Sequence, residues 1–366
     1  MKFSIAREPL LTALLKPLNL ALATHHIPIL SHFRVQAAGD LTFTATNTET
    51  EMSARVPADI EEGGTLTLPA RKLTDIVRSL PASALVRLET QDRLARITSG
   101  RSRFQIGTLP ADDYPLFCAQ EDWQSLACTP ATLLTLFSRV AYAQAKGDVR
   151  FYLNGLYLTN DEGRLTAVAT DGHRLASYQI PIEDDSEPFA IIIPSQAVAE
   201  ILRLLKDEET CTLDVAPSSL RLTLGASQIT TKLIDGRYPD YQRIIPPSYQ
   251  HQARVDREIL RQAIARVRIL SNEKMRGLSL TLDPGKITLQ TSNDGLDDAQ
   301  DVIDADTQNS DVRVGFRDEF ILDALQAIGE AQVDLRLNGN NGPMLIQGVG
   351  CDDHIQIIMP MLLGGN

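Results

Sequence analysis

The chain has 366 residues, more than a single hydrophobic core usually organises, so its length predicts two or three domains. Its hydrophobic content of 43% and charged content of 22% are those of a globular protein and exclude a largely disordered chain. The formal net charge of -12, taken alone, argues against a nucleic-acid-binding protein. No apolar run approaches the ~20 residues of a membrane-spanning helix, and residues 1–5 do not form a secretory signal, so we expect a cytoplasmic protein.

An amphipathic helix is predicted close to the N-terminus, and similar helices recur at about one third and two thirds of the chain. The predicted helices cover 7–16, 129–145 and 256–268. The second has Thr129 as its N-cap residue and Pro130 at the first helical position, both of which favour helix initiation there. The same element therefore opens each third of the sequence.

A strand that ends in a turn rich in hydroxyl and Asx residues follows each of these helices. These strands are predicted over 41–47, 165–171 and 287–293, and a further strand follows each turn. Equivalent positions in successive copies lie 124 and 122 residues apart. The spacing indicates an internal repeat.

A strand that leads into a second helix is the third repeated feature. It contains Pro69, Pro194 and Phe316, which are separated by 125 and 122 positions. Because the three features recur in the same order at matching intervals, the chain is predicted to contain three copies of a unit of about 122 residues. Each unit has two helices and roughly eight strands, which gives an α+β fold with domains at 1–123, 124–250 and 251–366.

The six predicted helices are basic although the chain is acidic. They hold fourteen basic and eight acidic residues, so the rest of the sequence carries a net charge of -18. Basic helices around a hole would attract the phosphates of duplex DNA without reading its sequence, while acidic sheets would repel DNA from the outside. The alternative interpretation is that these basic residues are the solvated faces of ordinary amphipathic helices. The predicted helices are 6–18, 70–79, 129–146, 195–206, 256–268 and 317–328.

The four cysteines are scattered along the chain and form no CxxC pair. We interpret them as reduced side chains that mostly contribute to packing, and we expect no structural zinc, no other metal and no cofactor. They are Cys118, Cys128, Cys211 and Cys351.

Seven motifs resemble those of one protein family and occur in the family's order. They are Leu68-Pro-Ala-Arg-Lys72, Ser99-Gly-Arg-Ser-Arg-Phe104, Tyr152-Leu-Asn-Gly155, Ala169-Thr-Asp-Gly-His-Arg-Leu-Ala176, Asp235-Gly-Arg-Tyr-Pro-Asp-Tyr241, Leu270-Ser-Asn-Glu-Lys274 and Met359-Pro-Met361. Over essentially its whole length the chain is similar to the β subunit of bacterial replicative DNA polymerase, the sliding clamp.

The resemblance implies three pseudo-equivalent domains, each with two helices and two four-stranded sheets. It also implies a head-to-tail homodimer whose six domains form a ring around duplex DNA, with helices lining the hole. The implied function is that of a non-catalytic processivity subunit that tethers a polymerase to DNA. The implied partners are double-stranded DNA, the replicative polymerase catalytic subunit, the clamp loader and other clamp-motif proteins, with no membrane involved.

A partner-binding pocket between the second and third domains is implied by the resemblance. Its apolar floor would accept the Leu and Phe side chains of a short linear motif, and flexible methionines would let many partners share it. The matching positions are Leu153, Thr170, Gly172, His173, Arg174, Leu175, Pro239, Arg243, Ile244, Phe320, Met344, Ile346, Ile357, Met359, Pro360 and Met361.

Two further surfaces are implied by the same resemblance. The dimer seam would pair basic residues and an apolar centre of one chain with an acidic loop of the other, through Lys72, Arg101, Arg103, Phe104, Ile106, Ile269, Leu270, Asp297, Asp298 and Asp301. The residues facing DNA would be Arg71, Arg78, Arg139, Phe151, Tyr152, Arg203, Lys206 and Arg266.

Several positions depart from the family's pattern. The loop at Thr24 lacks an arginine that many clamps carry, Ser195 and Gln196 replace a basic pair, and Phe151 stands where tyrosine is common. Leu362 occupies an often basic position, and Gly364, Gly365 and Asn366 extend beyond the usual end. The departures at Thr24, Ser195, Gln196 and Phe151 predict weaker contact with DNA than is usual in the family, and those at the C-terminus affect the edge of the implied pocket.

Two other functions are open at this point. Asp171 and His173 could in principle form an acid–base pair, but residues two apart on a turn rarely align and no third orienting group is evident. We interpret Asp171 as organising the turn through its own backbone. The other alternative is an atypical or secondary clamp-like adaptor that binds proteins with weak or no encirclement of DNA.

Overall fold

A computed structural model describes residues 1–23, 26–117, 122–182, 187–271, 277–293, 297–309 and 311–362. The departure at Thr24, the end of the motif at Lys274, Cys118 and the extension at 364–366 lie outside these residues. No helix among those described is long and apolar enough to cross a membrane.

Seven α-helices occur in the described residues. They are α1 (Arg7–Leu15), α2 (Leu18–Leu22), α3 (Ala70–Ser79), α4 (Pro130–Ser138), α5 (Ser195–Leu204), α6 (Arg257–Val267) and α7 (Asp318–Ala327).

The strands fall into three successive sets, one for each third of the chain. The first set is β1 (Lys2–Ala6), β2 (His32–Ala38), β3 (Asp40–Thr46), β4 (Thr50–Val56), β5 (Asp59–Glu62), β6 (Gly64–Pro69), β7 (Leu85–Gln91), β8 (Leu94–Ser99) and β9 (Ser102–Gly107). The second is β10 (Gln124–Leu126), β11 (Gly155–Asp161), β12 (Arg164–Thr170), β13 (Arg174–Pro181), β14 (Phe189–Pro194), β15 (Cys211–Ala216), β16 (Ser219–Leu224) and β17 (Ser227–Lys232). The third is β18 (His251–Asp256), β19 (Gly277–Asp283), β20 (Lys286–Asn293), β21 (Asp297–Asp304), β22 (Asp306–Gln308), β23 (Val312–Arg317), β24 (Gln332–Leu337), β25 (Met344–Gly348) and β26 (His354–Ile358).

Two compact units divide the chain. The first comprises Met1–Leu133 and Ala199–Leu233, and the second comprises Leu134–Val198 and Ile234–Asn366. The first unit contains a five-stranded sheet in the order β5-β1-β7-β8-β9 and an eight-stranded sheet in the order β10-β15-β16-β17-β4-β3-β2-β6. The second contains a nine-stranded sheet in the order β14-β11-β12-β13-β26-β25-β24-β18-β22 and a four-stranded sheet in the order β21-β20-β19-β23.

The two large sheets are each built from strands of two successive repeats, four and four in the eight-stranded sheet and four and five in the nine-stranded sheet. In the eight-stranded sheet the two sets join where β4 pairs with β17, and in the nine-stranded sheet they join where β13 pairs with β26. β4 and β13 are equivalent strands of the repeat, and β17 and β26 are the last strands of the second and third repeats. The expectation of two four-stranded sheets per repeat is therefore realised as fewer, larger sheets.

The equivalent turns of the first and second repeats form the same hydrogen bonds. Oδ1 of Asn47 accepts from the backbone amides two and three residues later, at 3.0 and 2.7 Å, and Oδ1 of Asp171 does the same at 2.9 and 3.0 Å. The hydroxyls of Thr46 and Thr170 each donate to the carbonyl oxygen four residues later, at 2.9 and 2.6 Å. The predicted Asx turns are confirmed at these two places.

The helix starts follow from local sequence. Oδ1 of Asp256 accepts from the amides of Glu258 and Ile259 at 2.9 Å each, which caps α6. The Thr129 hydroxyl accepts from the Thr132 amide at 3.1 Å, which confirms the predicted cap of α4.

The predicted helix at 129–145 is wrong beyond Ser138, where α4 ends. Two 3₁₀ turns, at Ala141–Ala143 and Phe151–Leu153, follow instead. Val140 and Ala143 remain buried, because a 3₁₀ turn repeats every three residues and satisfies the same apolar spacing. Apolar periodicity alone could not distinguish the two conformations.

The basic excess on the helices is smaller than the sequence predicted. Within their observed bounds the seven α-helices contain eight basic and seven acidic residues, so the excess falls from six to one. Six basic residues predicted to be helical lie outside the α-helices, so a basic lining would have to come from turns and loops as well. They are Lys16, Arg139, Lys146, Lys206, Arg268 and Arg317.

Candidate functional site

A buried apolar cluster forms the base of the candidate partner-binding pocket in the second unit. Three predicted pocket residues, Leu153, Leu175 and Ile357, are at most 2% exposed and belong to it. The cluster also has members that the sequence did not predict, including two half-buried residues packed against it, Tyr241 and Ile245. The remaining fully buried members are Ala145, Val168, Ile192, Tyr238 and Leu345.

The assignment of Met344 and Ile346 to the pocket is corrected by the pairing of β25 with β26. Leu345 is the register partner of Ile357 and shares the apolar cluster with it. Met344 and Ile346 belong to a separate core cluster of the second unit and are fully buried there. Successive side chains of a strand point to opposite faces, so the residue under the pocket is Leu345.

The turn after β12 holds the polar edge of the pocket, and Arg174 is its centre. The Arg174 guanidinium lies 3.2 Å from Oδ2 of Asp171 and 2.5 Å from Oδ2 of Asp323, and it donates to the Tyr142 carbonyl oxygen at 2.8 Å. It also lies over the Phe320 ring at 4.5 Å, a cation–π distance. Arg174 therefore fixes the turn, α7 and the preceding 3₁₀ segment to one another.

Gly172 allows that turn to form. Its φ of +87° lies in the left-handed region, and a Cβ there would lie 2.9 Å from Nη2 of Arg150. The same Arg150 group donates to the Asp171 carbonyl oxygen at 3.3 Å and to the Asp148 carboxylate at 2.8 Å. These hydrogen bonds lower the pKa of Asp148 to about 2, so the carboxylate stays charged in the physiological range.

The C-terminal segment passes directly beside this turn. The Met359 amide donates to the His173 carbonyl oxygen at 2.8 Å, and the Met361 amide donates to Gly315 at 2.9 Å. The His173 ring stacks on Phe320 with the ring centroids 6.5 Å apart. Met359 is exposed, while Pro360 and Met361 are half-buried.

The remaining predicted pocket residues differ in exposure. Pro239 is half-buried and Ile244 is exposed. Arg243 is 85% exposed and is paired with Asp240 at 2.7 Å. Thr170 is buried, and its hydroxyl donates to the Arg174 carbonyl oxygen within the turn.

A polar cleft adjoins the apolar cluster. It contains basic and acidic side chains on both walls, together with the aromatic ring of Phe320, and so suits a polar or charged part of a bound peptide. Its lining is Ala145, Lys146, Asp148, Asp171, His173, Arg174, Arg317, Glu319, Phe320 and Asp323.

The carboxylate of Asp171 is occupied by the turn. Oδ1 accepts two backbone amides and Oδ2 contacts Arg174, so neither oxygen is directed at the His173 ring. The interpretation that Asp171 organises the turn is confirmed, and the acid–base arrangement is absent between these two described residues.

The predicted seam residues of the first unit lie on and near β9, the outermost strand of the five-stranded sheet. Arg101 and Arg103 are exposed, and Phe104 is half-buried. Ile106 is 8% exposed and contributes to the core, which corrects its placement at the apolar centre of a seam. Lys72 is exposed on α3.

The predicted seam residues of the second unit lie on and beside β21, the outermost strand of the four-stranded sheet. Asp297 and Asp298 are exposed. Asp301 accepts from Arg266 at 2.7 Å, so it already has a partner in its own chain. Ile269 is 76% exposed and Leu270 is 38% exposed, on a 3₁₀ turn that packs against β20 and β21.

The predicted DNA-facing residues separate into two groups. Arg71, Arg78, Phe151 and Lys206 are exposed. The other four make contacts within their own unit, and their assignment to DNA stays a prediction. Arg139 lies over the Tyr178 ring at 4.6 Å, Arg203 donates to the Lys16 carbonyl oxygen at 2.5 Å, Arg266 pairs with Asp301, and Tyr152 packs against the apolar cluster of the second unit.

Comparison with known proteins covers nearly the whole chain. The family models of the DNA polymerase III beta subunit match in three successive pieces, its N-terminal domain at 1–118, its central domain at 128–240 and its C-terminal domain at 242–362. The chain belongs to the DNA polymerase III beta subunit family.

Relatives of this family align with the chain end to end. The beta sliding clamp of Pseudomonas putida is 38% identical and that of Escherichia coli K12 is 34% identical, each with 99% of this chain and 100% of the relative covered. The crystal structure of the DNA polymerase III subunit beta from Pseudomonas aeruginosa matches with a TM-score of 0.95 at 34% identity, over 99% of this chain and 100% of that one. The fold is the three-domain clamp fold, and the family's members are non-catalytic processivity subunits, so the chain is not an enzyme.

Proposed function

We propose that two copies of this chain join head to tail into a ring that encircles duplex DNA and tethers the replicative polymerase to it. The observation that carries this proposal is the match of three successive beta subunit domains, in order, along one chain. The proposed domains are 1–123, 124–250 and 251–366, and the proposed location is the cytoplasm.

The sheet topology supports a closed dimer. Two of the junctions between repeats are made inside the chain, where β4 pairs with β17 and β13 pairs with β26. In the third repeat the equivalent of β4 and β13 is β21, and in the first repeat the equivalent of β17 and β26 is β9. Among the described residues, β21 and β9 each have a neighbouring strand on one side only. Two such chains would complete both edges if β21 of each paired with β9 of the other.

The charges along these two edges are complementary. In the first junction, Ala54 of β4 pairs with Ser227 of β17. By the repeat, Ala54 corresponds to Gln300 of β21, and Ser227 corresponds to Ser102 of β9. A third junction in the same register would place Asp301 of one chain opposite Arg101 of the other. Such rim charges set register and orientation, while exposed Ile269 and Leu270 would provide apolar contact area.

The proposed contacts with DNA are sparse. Arg71, Arg78, Lys206 and Phe151 are the most accessible of the candidates, and Arg78 also lies 3.8 Å from the Asp75 carboxylate. A few phosphate contacts without base readout would let the ring slide and would make its direct affinity for DNA weak and salt-sensitive.

The proposed partner site is the pocket of the second unit. Its apolar floor at Leu153, Leu175, Leu345 and Ile357 suits the apolar side chains of a linear motif, and the polar edge around Arg174 suits its backbone and polar groups. The polymerase catalytic subunit, the clamp loader and other clamp-motif proteins would compete for it.

Loading onto nicked circular DNA tests the proposal. Clamp-loader complex and ATP should place the labelled protein on the circle, and cutting the circle once should release it, because a ring held only by topology slides off an end. Retention after linearisation would indicate that the protein is held by direct affinity for DNA and not by encircling it. Failure to load onto both circular and linear DNA would overturn the encircling function.

A further inference from the structure

Two cysteines that are 83 positions apart in the sequence lie side by side in the first unit. Sγ of Cys128 is 3.8 Å from Sγ of Cys211, and both side chains are half-buried. Sγ of Cys211 also lies 3.2 Å from the Cys128 carbonyl oxygen. Their separation in the sequence predicted unrelated packing cysteines, and the fold brings them together.

The pairing of β10 with β15 explains the proximity. Leu126 of β10 is the register partner of Leu213 in β15. Continuing that antiparallel register by two residues on each strand places Cys128 opposite Cys211. Directly opposed residues of antiparallel strands have Cα atoms about 4.5 to 5.5 Å apart, within the range that a disulfide accepts. A disulfide requires the sulfurs to approach to about 2.05 Å, which a rotation about χ1 can supply without a change of fold.

We propose that Cys128 and Cys211 form a reversible thiol–disulfide site that small-molecule disulfides can oxidise. The thiolate of one cysteine attacks a sulfur of the oxidant, releases one thiol and forms a mixed disulfide. The second cysteine then attacks the protein sulfur of that mixed disulfide and releases the second thiol. Two protein thiols lose two electrons and two protons, and one molecule of the oxidant is reduced to two thiols.

Cys211 is the better placed first nucleophile. The hydrogen bond from the Cys128 side chain lowers the pKa of the Cys211 thiol, which increases the fraction of reactive thiolate. By contrast, burial is the main cause that raises the pKa of Cys351. Cys351 contacts the Arg139 guanidinium at 3.9 Å and serves as the internal control.

The cross-link would fix the outermost strand of the eight-stranded sheet. β10 has three residues and pairs only with β15 in the described part of that sheet. It is also held by a 2.5 Å hydrogen bond from Ser125 to Asp214 and by Arg221 over the Trp123 ring at 4.2 Å. Cys128 lies between β10 and α4, so a disulfide there would restrain both the edge strand and the segment leading to the helix.

Oxidised glutathione is the probe for the test. The intact protein is incubated with it, remaining thiols are blocked, and the protein is digested with trypsin and a Glu-specific protease. Cleavage at Glu121 separates Cys118 from Cys128, which otherwise share one tryptic peptide. We expect a peptide containing Cys128 disulfide-linked to one containing Cys211, removed by dithiothreitol.

Matched variants distinguish this pair from general thiol reactivity. Cys351→Ser should leave the cross-link unchanged, and Cys128→Ser should abolish it and leave Cys211 as a glutathione adduct. In oxidised wild-type protein, amide exchange at 124–126 should slow at least several-fold relative to reduced protein, with no such change in Cys128→Ser.

The proposal is overturned by glutathione adducts on Cys128 and Cys211 without a link between them. It is also overturned by a link from either residue to Cys118 or Cys351, or by a cross-link that leaves exchange at 124–126 unaltered. None of these outcomes depends on whether the protein encircles DNA.

Discussion

At the scale of single residues, the pocket depends on which face of a strand each side chain occupies. Leu345 and Met344 are neighbours in sequence and both are buried, yet only Leu345 lies in the cluster beneath the proposed partner site. The run from Met344 to Ile346 is apolar throughout because both faces of β25 are covered. A sequence without alternation does not reveal which residue faces the pocket.

Leu345→Ala should weaken binding of a clamp-motif peptide about tenfold or more, because it leaves a cavity in the floor of the pocket. Ile346→Ala removes a similar volume from the opposite face and is the matched control. Each variant should lose about 2 to 5 kcal/mol of unfolding free energy, but only Leu345→Ala should change peptide affinity measured by fluorescence anisotropy. Equal affinity losses in the two variants would contradict the assignment from strand register.

His354 predicts a pH dependence of stability. It is fully buried, its Nε2 lies 3.1 Å from the Arg139 carbonyl oxygen, and burial lowers its pKa from 6.5 to about 4. Between these two values the unfolded chain binds a proton that the folded chain does not. The free energy of unfolding should therefore fall as the pH falls from about 6.5 to about 4, by on the order of 3 kcal/mol from this residue.

Urea unfolding of wild-type and His354→Gln protein at pH 7 and pH 5 measures this contribution. The variant keeps a side-chain donor for the Arg139 carbonyl oxygen but cannot titrate, so its stability should depend less on pH than that of wild type. A slope in His354→Gln equal to that of wild type would show that His354 does not titrate as its burial implies.

At the scale of elements, the repeated strands and turns could be predicted from the sequence, whereas the end of α4 could not. Three copies of a strand, turn and strand could be recognised because Ala45, Ala169 and Thr291 recur at nearly constant spacing, and the turns at Asn47 and Asp171 share their hydrogen bonds. The end of α4 at Ser138 could not be predicted, since apolar residues continue at a spacing that a 3₁₀ turn also satisfies.

The contacts of long basic side chains also could not be predicted from the sequence. Arg139 and Arg203 have the residue type and helical position expected of a DNA contact, but their partners are Tyr178 and the Lys16 carbonyl oxygen. Those partners are distant in sequence and become neighbours only after folding. The turn before Arg174 could be predicted because its residues are consecutive.

The C-terminal segment predicts a truncation phenotype at this scale. Deleting 359–366 removes the hydrogen bonds from the Met359 amide to the His173 carbonyl oxygen and from the Met361 amide to the Gly315 carbonyl oxygen, together with three residues of the proposed partner site. Peptide binding should fall below detection, while sedimentation should still report a dimer, because the proposed seam lies on β9 and β21. Deleting 363–366 alone is the control and should leave peptide affinity within about twofold of wild type. Unchanged affinity after the longer deletion would exclude the segment from the site.

At the scale of the whole molecule, the number of strand edges determines the assembly. Two junctions between repeats are completed within the chain, and the proposed dimer would supply the third by pairing β9 of one copy with β21 of the other. A long strand edge left unpaired in solution is a risk for aggregation, which gives a physical reason for the seam beyond the function of the ring. The charge pattern adds direction, because the basic residues near β9 and the acidic residues of β21 disfavour pairing of either edge with itself.

Introducing charge at the seam should convert the dimer to monomers. Ile269 and Leu270 expose apolar side chains on the turn beside β21, and burying two aspartates there without partners would cost several kcal/mol per ring contact. The double variant Ile269→Asp, Leu270→Asp should therefore sediment as a single chain at micromolar concentration. It should bind a clamp-motif peptide as wild type does, because the pocket lies in one chain, and it should no longer be retained on nicked circular DNA.

Ile259→Asp changes a half-exposed isoleucine on α6 and should remain dimeric. A dimer that persists in the double variant, with the control also dimeric, would place the seam elsewhere and leave the pairing of β9 with β21 without support.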